Sequence, residues 1–111
     1  MAPRLKAGFW IKALIRRCQT EGAFAAIVRH GDDTAGSIIV KINTLDGKAR
    51  ALVPGFGLDG ERVWRGQPEN EPVPEGDVDA YIARAVERDP DLWVIEIEDR
   101  EGRHFLDEPV E

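Results

Sequence analysis

Apolar residues recur along the first segment with helical spacing. Ala7, Trp10, Ile11, Leu14, Ile15 and Cys18 fall within one stripe of a 3.6-residue wheel, and Gly22 supplies a stop, so residues 7 to about 20 are read as an amphipathic helix. The pattern then changes to strands at Phe24–Arg29, Ser37–Asn43 and Ala49–Val53, each rich in Val, Ile or Ala. Gly31-Asp32-Asp33-Thr34-Ala35-Gly36 and Thr44-Leu45-Asp46-Gly47 are turn sequences, so two antiparallel hairpins are expected. Pro54 to Pro74 reads as a Gly/Pro-rich loop, with a short strand at Arg62–Arg65. A second helix starts near Glu75 and stops before Asp89-Pro90, because a proline disfavours helical geometry in the residue preceding it. Its stripe is Val78, Tyr81, Ile82, Ala85 and Val86. Leu92 to Glu98 alternates Trp93, Ile95 and Ile97 with Glu96 and Glu98, which is a half-buried strand. A turn at 99–102 leads to His104-Phe105-Leu106, and about 107–111 is expected to be a flexible tail.

The order helix, strand, strand, strand, helix, strand implies an α+β fold: a mainly antiparallel sheet with both helices on one face. If Phe24, Ala26, Val28, Ile38, Val40, Ile42, Trp93, Ile95 and Ile97 face the helices, alternation sends Arg29, Lys41, Arg50, Glu96 and Glu98 to the other face. That face is either a solvated surface with cross-strand ion pairs or a polar binding surface.

At 111 residues, with 42% hydrophobic and 32% charged residues, the chain is expected to be a single folded domain over 1–111. One cysteine excludes an internal disulfide and a cysteine-based zinc cluster. No apolar run approaches the roughly 20 residues a membrane helix needs, and no small-residue cleavage pattern follows Ile15, so a cytoplasmic location is expected. The Arg-rich, acid-poor start also has transit-peptide character.

Charge is sorted along the chain. Arg4, Lys6, Lys12, Arg16 and Arg17 stand in the first twenty residues without an acid, whereas 67–111 carry most of the acids, and the whole chain has a net charge of −6. On the first helix Leu5, Phe9, Lys12 and Arg16 lie opposite the apolar stripe, placing an aromatic and a leucine among bases. Either the acidic C-terminal segment covers this face, or it docks another protein through apolar anchors in a charged rim. Nucleic acid and anionic membrane are disfavoured as partners by the overall negative charge. The chain carries no signal for its oligomeric state.

No constellation names a reaction. The element order matches the core of metal-dependent nucleases that use a Pro-Asp and an Asp/Glu-x-Lys motif, whose carboxylates converge from adjacent strands to hold Mg²⁺. Here Ile39 stands where that motif wants an acid before Lys41, and Asp46-Gly47-Lys48 has the spacing but sits in a turn. Cys18 lies on an apolar stripe, His30 and His104 share no metal spacing, Ser37 lacks a nucleophile elbow, and the glycines of 55–60 do not run from a strand into a helix. No catalytic residue, metal site or cofactor is assigned. A non-enzymatic interaction or regulatory module is favoured by elimination, with a degenerate nuclease-like enzyme as the alternative.

The segments 8–18 (GFWIKALIRRC), 36–41 (GSIIVK) and 89–106 (DPDLWVIEIEDREGRHFL) resemble the alphaproteobacterial domain-of-unknown-function family numbered fourteen ninety-one. The similarity covers nearly the whole chain, with most divergence expected around 55–70. It implies a small bacterial cytoplasmic protein and supplies no activity, cofactor or catalytic residue.

Overall fold

The computed structural model describes residues 6–34 and 36–111. Its elements are α1 (Ala7–Thr20), β1 (Phe24–Arg29), β2 (Ile38–Asn43), β3 (Lys48–Phe56), β4 (Arg62–Gln67), β5 (Val73–Pro74), α2 (Glu75–Arg88) and β6 (Trp93–Glu98). They form an α+β fold whose sheet runs β1-β6-β2-β3-β4, with β5 added along β3. All pairs are antiparallel except β2 with β6.

Helix α1 forms because Ala7, Ile11, Leu14 and Cys18 repeat every three or four residues and are all buried. It ends in a Schellman turn: Gly22 takes φ 83°, its N–H reaches the Gln19 carbonyl at 3.1 Å, and the Ala23 N–H reaches Cys18 O at 2.9 Å. Ala23 then packs in the same cluster as Cys18.

The hairpin expected between β1 and β2 does not form. Strand β6 lies between them, antiparallel to β1 and parallel to β2. Ile38–Ile42 and Trp93–Ile97 carry bulk on both faces, which suits the middle of a sheet, whereas β1 supplies alanines and takes an edge. The 31–36 connection wraps the start of β6: the Asp32 N–H donates to Asp91 O at 3.0 Å and the Trp93 indole donates to Asp32 O at 2.8 Å. The β2–β3 hairpin is present as expected.

The two helices lie on opposite faces of the sheet, not on one. Val40, Ile42, Leu52 and Ile97 pack against Leu14 and Cys18 of α1, while Ile39, Ala49 and Ala51 pack against Val78 of α2. The cause is visible in β2, where consecutive apolar residues Ile38-Ile39-Val40 give each face something to bury. Strand β1 is turned the other way from expectation. Ala25 is buried beneath α1, whereas Phe24 and Val28 are 61% and 60% exposed. A β-bulge between Ile27 and Arg29 ends its regular pairing.

The strand expected at Arg62–Arg65 inside the 54–74 loop is present as β4, and strand extends beyond it at both ends of the loop. β3 continues to Phe56, and β4 pairs with it from Gln67 opposite Ala51 to Arg62 opposite Phe56. Pro54 is tolerated because β2 pairs with β3 only as far as Leu52, so the missing N–H breaks no ladder there. The C-terminal residues run beside β4: Trp64 N–H donates to Pro109 O at 2.9 Å, Glu111 N–H to Trp64 O at 2.8 Å, and the Trp64 indole to Glu108 at 3.1 Å. Trp64 also stacks on Trp10 with ring centroids 5.7 Å apart, tying α1, β4 and this segment together.

Candidate functional site

Two places gather the residues singled out in the sequence. The first lies between α2 and the sheet. Glu75 and Asp79 stand one helical turn apart at the start of α2, where acids also suit the helix dipole. Both reach Lys41 at the centre of the sheet: its Nζ is 2.7 Å from Glu75 Oε2, 2.7 Å from Asp79 Oδ1 and 3.4 Å from Glu96 Oε1. The Asn43 amide donates to Glu75 and Glu96, both at 3.3 Å. Lys41 is buried, at 6% exposure. Burial alone would pull its ammonium down, but the hydrogen bonds to Asp79 and Glu75, with Glu96 close by, hold it well above the ordinary lysine value.

This geometry is a strut. The ammonium sits where a cation would sit among the three carboxylates, and among the described residues no group of three His, Cys, Asp or Glu side chains is arranged to hold a metal ion. Lys41 has carboxylates beside it, but Ile39, standing where the nuclease motif wants an acid, is packed under α2. Asp46 and Lys48 stay in and beside the β2–β3 turn, and His104 lies near Arg50.

The expected polar face is therefore divided. Lys41, Glu96 and, by register, Glu98 and Arg29 lie on the α2 side, Glu98 opposite Phe24 and Arg29 opposite Val94. Arg29 donates to Pro90 O at 2.9 Å, and its buried Nε has no hydrogen-bond partner among the described residues. Arg50 pairs with Ile42 and so projects to the α1 side. Sequence alone missed Glu75 and Asp79 as partners of Lys41; the i, i+4 acids opening α2 and the one lysine in an apolar strand were the signal.

The second place is the outer face of α1. Phe9 is 68% exposed, Lys12 and Arg16 are exposed, and neither base lies in an ion pair among the described residues. Leu5 lies outside the described residues. The C-terminal segment does not cover this face. It is held by the next residue, Arg17, which donates to the Phe105 carbonyl and lies 3.3 Å from Asp107. A rotation of about 100° per residue turns Arg17 away from Arg16. No helix among the described residues is long and apolar enough to cross a membrane.

The family model described as "Protein of unknown function (DUF1491)" matches residues 5–107. The crystal structure of a DUF1491 family protein from Caulobacter crescentus CB15 is 48% identical, with a TM-score of 0.87 over 97% of this chain and 100% of that one. The solution structure of a protein from A. tumefaciens is 31% identical, with a TM-score of 0.77 over 96% of this chain and 95% of that one. Among curated proteins no match is found.

Proposed function

The chain belongs to this bacterial family of unknown function, and we propose that it is a non-enzymatic, cytoplasmic interaction module that docks another protein on the outer face of α1. The observation that carries this reading is Phe9, an aromatic side chain 68% exposed on the same helix face as Lys12 and Arg16, neither of which lies in an ion pair among the described residues. Exposed aromatics rimmed by polar groups are the anchors of protein interfaces. The partner it fits is an acidic surface with an apolar pocket, since the bases attract it while the net charge of −6 disfavours nucleic acid and anionic membrane.

The test places a photo-crosslinking phenylalanine analogue at Phe9 and, as control, at Tyr81 on α2, in cells of an alphaproteobacterium. A single adduct formed from position 9, absent from position 81 and lost in Lys12→Glu/Arg16→Glu, is the expected result. The same adducts from both positions, or adducts indifferent to the charge reversal, would overturn it.

A further inference from the structure

A cavity of about 560 Å³ opens at the end of the sheet on the side away from the Lys41 cluster, walled by the β2–β3 hairpin, residues 70–72 and the turn at 100–102. Its volume is in the range of small-molecule sites. Three cations line it, Lys48, Arg50 and Arg100, and among the described residues none of them lies in an ion pair.

Arg50 is the anomaly. Arginines withdrawn from water are normally paired with a carboxylate. Arg50 is half-buried, yet among the described residues the only hydrogen bond its guanidinium makes is from Nη1 to the carbonyl of Asn70, at 2.8 Å. Burial pulls it below the ordinary arginine value. Asn70 is itself pinned. A Cβ at Gly66 would stand 2.6 Å from Asn70 Cα, so the loop packs directly on the β4 backbone and holds Arg50 in place from one side.

We infer that this cavity binds the phosphate head of a small phosphomonoester. A guanidinium fork matches an oxyanion in two parallel hydrogen bonds, and a tetrahedral dianion offers oxygens to several donors at once, where a carboxylate offers two oxygens in one plane. The acids lining the same cavity set the size of the ligand. Asp46 accepts from the Thr44 hydroxyl and the Lys48 N–H, Glu101 lies 3.6 Å from Arg103, and among the described residues neither forms an ion pair with Arg50. With Glu71 they repel a polyanion such as nucleic acid and leave acceptors for hydroxyl groups on the carrier of the phosphate.

The experiment is a ¹⁵N-resolved NMR titration of the full chain with glycerol 3-phosphate and, in parallel, with inorganic phosphate and with glycerol. Saturable shifts confined to Thr44, Arg50, Asn70 and Gly102 are expected with glycerol 3-phosphate, weaker ones with phosphate, and none with glycerol. Arg50→Lys and Arg100→Gln should each weaken binding about tenfold, Arg50→Lys because the charge remains and the fork is lost. Arg100 is exposed, so its variant keeps the test valid if position 50 proves essential for folding. Shifts centred on Lys12 and Arg16, affinity unchanged in both variants, or no saturation would overturn the inference. So would capture by phosphatidate vesicles without any response to the free phosphomonoester.

Discussion

The Lys41 ammonium on the central strand β2 lies 2.7 Å from the Asp79 carboxylate on α2, which makes one buried cation the link between a helix and the sheet it covers. Removing it leaves Glu75, Asp79 and Glu96 facing one another. Lys41→Met, which keeps the stem, should cost about 2–3 kcal/mol in chemical denaturation, below the loss typical of fully buried pairs because Glu75 and Asp79 keep contact with water. The pH dependence has a fixed sign. The folded value is raised, so the charged lysine stabilises fully below its ordinary value of 10.5, and that contribution is lost as pH rises through the folded value. Wild type and Lys41→Met should therefore converge in stability in strong alkali; a constant difference would count against the strut.

Gly31 and Gly36 are both pressed against the start of β6. A Cβ at Gly31 would stand 2.2 Å from Asp91 O and 2.6 Å from the Trp93 ring, and one at Gly36 2.4 Å and 2.8 Å from the same groups. These obstacles are backbone and a buried indole, so neither can yield cheaply. Gly31→Ala and Gly36→Ala should each destabilise by about 1–3 kcal/mol in thermal melts. Gly76→Ala, which meets open space on α2, should instead be neutral or stabilise by a few tenths of a kcal/mol to about 1 kcal/mol.

The helices and most strands were legible in the sequence because their periodicity is local. Both predicted helices match α1 and α2, and the Thr44–Gly47 turn does join a hairpin. What was not legible depends on pairing across the chain. Nothing in Phe24–Arg29 says that residues near 95 will lie beside it, and with β6 inserted the face assigned to Phe24 becomes an uncovered edge. The both-sided burial of Ile38-Ile39-Val40 was visible as a run, but reading it as simple alternation put both helices on one face. At the candidate sites, Phe9, Lys12 and Arg16 were found because a helix wheel is local information. Arg50 changes sides because its face is fixed by register against Ile42, which no spacing reveals.

Asp99 closes the turn after β6. Its Oδ2 accepts from the Arg103 N–H at 2.7 Å, and its carboxylate accepts from the Arg103 side chain at 3.1 and 2.9 Å. The Arg103 side-chain hydrogen bond outweighs burial and holds the carboxyl below its ordinary value of 3.8. A lowered acid stabilises the fold above its ordinary value, and that stabilisation is lost as pH falls through the folded one. Asp99→Asn should melt a few degrees lower at neutral pH, and the gap should shrink as pH falls below 3.8 and close only in acid below the folded value. A gap that persists at low pH would mean the side chain acts through shape alone.

Strain is stored at the tip of the β2–β3 hairpin. Leu45 takes φ 61°, a conformation that costs a residue with a Cβ roughly 1–2 kcal/mol, and its N–H is held at 2.9 Å by the Asn43 side chain. Leu45 is 42% exposed, so little packing depends on it. Leu45→Gly should then stabilise the hairpin by up to about 1 kcal/mol, an increase limited by the extra freedom glycine gains in the unfolded chain. A measured loss of stability would show that the leucine side chain packs more strongly than its exposure indicates.

His104 reports on Arg50. Its Nδ1 accepts from the Leu106 N–H at 2.9 Å, which requires that nitrogen to be unprotonated. Burial, followed by the charge of Arg50, holds the imidazole below its ordinary value of 6.5. The sign here is that of a group kept neutral: stability is full above 6.5 and declines as pH falls from there through the folded value, because the unfolded chain takes up the proton first. Arg50→Gln removes the second cause and leaves the first. The His104 titration, followed through its ring proton by NMR, should shift toward 6.5 without reaching it, and the slope of stability against pH below neutrality should flatten. An unchanged midpoint in Arg50→Gln would mean that burial alone sets the imidazole and that the guanidinium is screened from it by water.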